Sequence, residues 1–357
     1  MDKPVSRGSL RKLLPAVILC AVTLAFAVGS LSAGDRSSAA QSAVWKPLLY
    51  MRDSVRLRLG ADSIGDIYIA DGRLLRRMPA VSEETMQSAA AAVNSFAAET
   101  ALPVCCAAIP TATDVYSDLL PKNAPYLDEA ALLRGFCNQL DDGIVQIDLI
   151  SQFHSLREED TYELYLRTDP RWTSFGAFCA YQTVIRKLGF SAVGYDKFAV
   201  AHFSSSYYGT LAQEIQFFRV QPDLIDLYTN DAAPAVVSGT AWDGSGNPTE
   251  LTAYYDVHAE GYNVYRAAEV PVLQMETDLQ NGRALLLFCD SYGAPMIPFL
   301  MQHYHRITAV NTELAADLDW RSITADSEYT QVLILCSTET IAAEDGFSAL
   351  QPNGKDT

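Results

Sequence analysis

Apolar positions along this chain fall into two alternating textures. The runs PVCCAAIP (103–110), GIVQIDLI (143–150), ALLLFC (284–289) and VLILCS (332–337) are short and almost continuously apolar, which predicts strands buried on both faces. Between them lie stretches with helical spacing. SEETMQSAAAAVNSFAAET (82–100) leads into the first run, DEAALLRGFCNQL (128–140) into the second, and PMIPFLMQHYH (295–305) into RITAVN (306–311). TSFGAFCAYQTVIRKLGF (173–190) leads to a region ending in YDKFAVAHF. Strand and amphipathic helix in alternation imply a mostly parallel sheet covered on both sides, a three-layer α/β/α fold. Before this series, DIYIADGRLLRR (66–77) reads as a hairpin around Asp71-Gly72. Between about 200 and 265 turns crowd together, as in WDGSGNP (242–248), and the short runs AVVSGTAW and LTAYYDV predict a small antiparallel insertion or lid.

The N-terminus has a different texture. Lys3, Arg7, Arg11 and Lys12 precede Leu13–Ala33, which carries no charge and at about 1.5 Å per residue is long enough to cross a hydrocarbon core of about 30 Å. The basic flank places residues 1–12 in the cytoplasm and the bulk of the chain outside. Small residues near its end leave a cleaved signal peptide as the alternative, with a secreted product. Cys20 follows Val-Ile-Leu, which does not suit a lipoprotein signal. Residues 34–60 read as a stalk, 61–345 as one α/β domain and 346–357 as a tail.

Composition narrows the function classes. Lys and Arg number 26 against 43 Asp and Glu, for a net charge of −17, and the bulk is more acidic still once the four N-terminal bases are set apart. With no basic cluster interleaved with aromatics, nucleic acid is excluded as a partner. The seven cysteines form no C-x-x-C pair and none lies near a histidine at ligand spacing, so neither metal nor cofactor is expected. Cys105, Cys106, Cys289 and Cys336 sit in the apolar strand runs and read as buried thiols.

Two segments carry candidate chemistry. In ALLLFCDSYGAPMIPFL, Ser291 follows an apolar strand on a tight turn, at the carboxyl end of a parallel sheet where α/β proteins place their sites. Its hydroxyl is placed either as a nucleophile beside helix N–H groups or as a simple N-cap. In LYLRTDPRWTSFGAF, Asp169 and Trp172 precede a helix that begins near Thr173 or Ser174.

Together these segments resemble the DHHW family of SGNH-hydrolase-like proteins. TDPRWT is similar to that family's TDHHWT segment and CDSYGAPMIPFLMQHY to its DSY segment. DIYIADGRLL, IPTATDVYSDLLP, YYGTL and PDLIDLY add supporting likeness over residues 60 to 340. The resemblance implies an SGNH-like domain with Ser291 as nucleophile and Asp169 as orienting acid, beside Trp172 and Tyr292 as substrate contacts. It also implies work on cell-envelope polysaccharide alongside a membrane-bound O-acyltransferase. The two family histidines, however, fall on Pro170 and Arg171. Arginine stays protonated at any physiological pH and cannot take the serine proton. The asparagine expected between the central tyrosines and the serine strand is also missing from YNVYRAAEVPVL, although Asn263 lies nearby.

Arg171 is read either as the ion-pair partner of Asp169 or as a contact for an anionic ligand, and Trp172 as core or as a sugar platform. Tyr207-Tyr208 and Tyr254-Tyr255 read as groove lining or as sheet surface. Three functions follow from these alternatives: a catalytically impaired SGNH-like protein that binds glycan or a partner, an active esterase or O-acetyltransferase using Ser291, and a non-catalytic surface or assembly protein.

Overall fold

The computed structural model describes residues 45–159 and 162–351, with side chains from residue 52 onward. The 13–33 segment, residues 34–44 of the predicted stalk and residues 352–357 of the tail lie outside the described residues. Among those described, no helix is long and apolar enough to cross a membrane.

Two compact units divide the chain at Asp66/Ile67. Within the first, helix α1 covers Trp45–Arg58 and a two-residue strand β1 covers Ser63–Ile64. The second unit carries the fold. It opens with the expected hairpin of β2 (Ile67–Ala70) and β3 (Arg73–Arg76). Asp71 (φ 44°) and Gly72 (φ 73°) both take the left-handed conformation that a two-residue turn of this hand requires. Helix α2 (Glu83–Glu99) then starts where Ser82 accepts the Thr85 amide at 3.0 Å, and leads to β4 (Val104–Ile109). A short helix α3 (Ala112–Val115) follows, then α4 (Glu129–Cys137), β5 (Val145–Asp148) and α5 (Ile150–Glu159). Thr173 caps α6 (Ser174–Lys187) through the Gly176 amide, where the sequence places the helix start.

The predicted 200–265 insertion divides in two. Strands β6 (Ala199–Tyr207) and β7 (Asp223–Thr229), linked through α7 (Thr210–Ile215), pair only with each other as an antiparallel ribbon. Strands β8 (Val236–Trp242) and β9 (Pro248–Leu251) instead extend the main sheet. The rest is β10 (Val272–Thr277), β11 (Ala284–Cys289), α8 (Ile297–Leu300), β12 (Arg306–Asn311), α9 (Trp320–Ile323), β13 (Gln331–Ser337) and α10 (Thr338–Ile341).

The eight-stranded sheet runs β5-β4-β13-β11-β12-β10-β8-β9. Pairing is parallel from β5 to β12 and antiparallel from β12 to β9. Strands β4, β13 and β11 are buried at every position, yet successive side chains still enter different layers. Leu285, Leu287 and Cys289 of β11 face Trp172 and α6, whereas Leu286 and Phe288 face Phe96 and Trp320. That two-sided burial explains the continuous apolar runs of β4, β11 and β13, whereas β5, expected to be buried as well, lies at the sheet edge with Val145, Gln146 and Asp148 exposed. It also accounts for the strand cysteines: Cys105, Cys106, Cys289 and Cys336 are free and buried.

The LTAYYDV run departs from its expected strand. Tyr254 and Tyr255 instead turn inward, donating to the carbonyls of Ala294 (2.6 Å) and Tyr228 (3.0 Å). Their hydroxyls find backbone acceptors in the interior, so this pair forms neither a groove wall nor a sheet surface.

Candidate active site

Ser291 lies just past the carboxyl end of β11, on a turn the chain makes for itself. Asp290 is fully buried, and its carboxylate accepts the amides of Tyr292 (3.0 Å) and Ser337 (2.6 Å) and the Thr340 hydroxyl (2.7 Å). The Gly293 amide closes the turn on the Asp290 carbonyl at 3.0 Å. Ser291 is thereby left half-exposed between β11 and the short helix that follows. It is not an N-cap, because the first helical turn begins at Ala294 behind Gly293 and has no side-chain cap. Nor is that helix the long one the 295–305 pattern predicts, since Pro295 and Pro298 hold it to a 3₁₀ turn and one α turn.

The loop before α6 faces this turn. Tyr292 donates to the Pro170 carbonyl at 3.0 Å, which ties the two segments together. Asp169 is completely buried, and Arg171 grips it with two bonds, Nε to Oδ1 at 2.7 Å and Nη2 to Oδ2 at 2.8 Å. The carboxylate also accepts the Tyr207 hydroxyl (2.9 Å) and the Thr210 amide (3.0 Å), while the guanidinium stacks 3.7 Å from the centre of the Tyr262 ring. Burial alone would raise the Asp169 pKa, but the Arg171 charge and these bonds prevail and bring it down to about 2. The same pairing overrides burial at Arg171 and raises its pKa. Of the two sequence-level readings of Arg171, the ion pair is the one the geometry supplies. Gly209 makes the close approach possible, since a Cβ there would lie 2.3 Å from Asp169 Cβ.

Among the described residues no histidine is hydrogen-bonded to Ser291, Asp169 or Arg171, His305 giving its amide to the Arg283 carbonyl instead. His303 is buried against the Tyr181 hydroxyl at 2.7 Å, with its pKa pushed down to about 4 by burial. His154 bonds to Asp114 (2.8 Å) and His202 to Asp226 (2.6 Å), whereas His258 is exposed. None of these bonds reaches Ser291.

Ser291 has a carboxylate for a neighbour instead. Its amide donates to Glu313 Oε2 at 3.2 Å. Burial and the nearby Asp290 raise the Glu313 pKa, and burial likewise raises that of Asp290. Glu339, near Asp290, Glu313 and Asp169, is pushed up to about 7 by burial. The Glu313 and Glu339 shifts share an electrostatic contribution, the crowding of carboxylates around the turn. Sequence reasoning missed Glu313 and Glu339, although both have a local signature. Each follows a threonine at the end of a buried parallel strand, in VNTEL and CSTET.

Two expected contacts are displaced. Trp172 has no exposed surface and stacks on Phe153, with ring centres 5.9 Å apart, so it belongs to the core rather than to a sugar platform. Tyr292 is 1% exposed and stands edge-on to Trp172 at 6.4 Å. Packing of α6 against the sheet draws both rings inward, and neither has a face to offer a substrate. Asn263 is exposed on the 3₁₀ turn Gly261–Val264.

The family model of the SGNH hydrolase-like domain of acetyltransferase AlgX matches residues 67–248. No curated protein matches the chain. Among solved structures, a DHHW family protein from Eubacterium siraeum superposes with a TM-score of 0.67 at 18% identity, covering 79% of this chain and 93% of that one. PatB1 of Bacillus cereus, solved with a sulfonyl adduct, gives 0.66 at 20% identity over 78% and 97%. At these identities the superpositions speak for the fold alone, and the family model adds the lineage. The chain belongs to the family of SGNH hydrolase-like domains represented by the acetyltransferase AlgX.

Proposed function

We propose that this protein acts outside the cytoplasm in cell-envelope polysaccharide acylation, tethered through residues 13–33, as a component that binds glycan or a membrane-bound acyltransferase partner. In this reading Ser291 does not turn over ester by a Ser-His-Asp relay. The observation that carries it is the buried Asp169–Arg171 pair. Acyl transfer needs a base that removes the serine proton near neutral pH and returns it to the leaving oxygen. A guanidinium held by a carboxylate does neither. The field around Ser291 is also unfavourable. Its amide, the natural donor to a developing oxyanion, already serves Glu313, and the surrounding carboxylates oppose further negative charge. The AlgX family link supports the polysaccharide setting.

A second reading has its own observation. The Ser291 amide donates to Glu313, which sets that carboxyl beside the serine, and burial raises its pKa; a Ser–Glu dyad would make the protein an esterase or O-acetyltransferase. Hydrolysis of a chromogenic acetate ester separates the two. The binding reading expects wild type and Ser291→Ala to release acetate at the same background rate. A wild-type rate at least tenfold above Ser291→Ala, abolished by Glu313→Gln, would replace it with the dyad.

A further inference from the structure

A concentration of positive charge in this acidic chain lies away from Ser291. A cleft of about 480 Å³ is lined by Arg73, Arg157, Arg167 and Arg219, against only Asp71 and Glu163 of opposite sign. Four of the chain's 26 basic residues thus share one cleft in a protein with 43 acidic ones, which inverts the local sign of the field. We propose that this cleft binds the acidic group, carboxylate or phosphate, of a saccharide.

The arginines are held at different depths. Arg73 is buried, donates to the carbonyls of Tyr165 and Leu166 at 3.1 Å each, pairs with Glu163, and stacks 3.9 Å from the Tyr116 ring centre. Arg157 stacks on the same ring at 4.9 Å and pairs with Asp118 at 3.0 Å. Arg167 bonds to Glu163 (2.5 Å) and Gln221 (3.0 Å), so one carboxylate serves both Arg73 and Arg167. Burial would raise the Glu163 pKa, yet the two guanidiniums override it and lower it. Arg219 is exposed at the rim and has no ion-pair partner among the described residues. A planar, always-charged fork of this kind matches a carboxylate or phosphate by paired hydrogen bonds.

The saccharide part of the inference comes from the neighbouring cavity. A second cleft of about 490 Å³ shares Tyr162, Glu163, Arg167 and Gln221 with the first, and continues onto Phe175, Tyr195 and Leu224. Tyr162 is 63% exposed and lies 4.4 Å from the Phe175 ring centre. A charged pocket opening beside an accessible aromatic pair suits a sugar ring that carries an acid, the ring resting on the aromatics and the acid on the guanidiniums. Ser291, Asp169, Arg171 and Glu313 line neither cavity.

This inference deepens the glycan-binding reading and rests on it only for the class of ligand. The test is calorimetric titration of the full-length chain with trigalacturonate, glucose 6-phosphate and the neutral maltotriose, at about 0.02 and 0.5 M salt. At least one acidic sugar binds ten times more tightly than maltotriose, weakens at high salt, and weakens tenfold or more in Arg219→Glu. A preference for trigalacturonate assigns the carboxylate, and one for glucose 6-phosphate the phosphate. Equal affinity for neutral and acidic sugars, no binding of either acid, or indifference to Arg219→Glu would overturn the inference. Retention of a whole cell-wall polysaccharide by Arg219→Glu, with undiminished affinity, would overturn it and leave the broader glycan-binding reading standing.

Discussion

Removing the Arg171 side chain tests whether the Asp169–Arg171 pair is a structural replacement for the acid–base relay. In Arg171→Ala, Asp169 keeps the Tyr207 hydroxyl and the amides of Thr210 and residue 171 but loses both guanidinium bonds. Leaving one member of a buried ion pair unpaired costs about 3 to 5 kcal/mol. The surviving donors place this variant near the lower end, about 3 kcal/mol, with lost stacking on Tyr262 included. Asp169→Asn leaves the guanidinium buried without its counter-charge and costs a similar amount. In the double variant neither charge is stranded, so the two losses fall short of additive by about 2 kcal/mol. The linkage sign can be checked independently. The folded pKa of Asp169, about 2, lies below its ordinary 3.8, so its stabilisation is fully present above pH 3.8 and is lost as pH falls toward 2. That difference corresponds to about 2.5 kcal/mol, on the order of 1.4 kcal/mol per pKa unit. Urea unfolding at pH 7 and at stepwise lower pH measures both quantities. Additive single losses of under about 1 kcal/mol each, or an acid limb unchanged in Asp169→Asn, would refute the reasoning.

Two further perturbations probe the same frame. Gly209→Ala has a φ that suits alanine (−74°), so its cost is steric. Displacing Asp169 should lower stability by about 1 to 3 kcal/mol, and urea unfolding should show no further loss when Arg171→Ala is added. Glu129, 1% exposed and bonded to the Thr111 amide at 3.0 Å, has its pKa raised by burial from 4.5 to about 7. The folded state therefore holds this proton more tightly, and stability falls as pH rises from 4.5 to 7, by about 3 kcal/mol at roughly 1.4 kcal/mol per unit. Glu129→Gln removes that slope, which thermal or urea midpoints between pH 5 and 8 would record.

The layered sheet was legible because burial on both faces leaves a mark no other element makes, the near-continuous apolar run. β4, β11 and β13 stand where those runs stand. Caps were legible for the same reason, as Ser82 and Thr173 offer oxygens where helices must begin. The 200–265 region read less well. Strands at a sheet edge and strands in a detached ribbon have similar composition, and only long-range pairing decides between them. At the site, Asp169, Arg171 and Ser291 stood out as motif members. The partners that fix their chemistry did not, because Tyr207, Thr210, Tyr262 and Glu313 reach them across 22 to 91 residues of chain, from positions that look ordinary locally. Trp172 shows the opposite limit, since its burial depends on Phe153 and Tyr292, which no local pattern links to it.

The most direct test of the central claim is the rate at which a fluorophosphonate modifies Ser291 of the full-length chain between pH 5 and 9, followed by intact-mass spectrometry. A serine without a base reacts slowly, and its rate climbs about tenfold per pH unit with no plateau, which is the predicted result. Rapid modification that levels off at an apparent pKa between 5 and 8 would show a working base beside Ser291 and contradict the account.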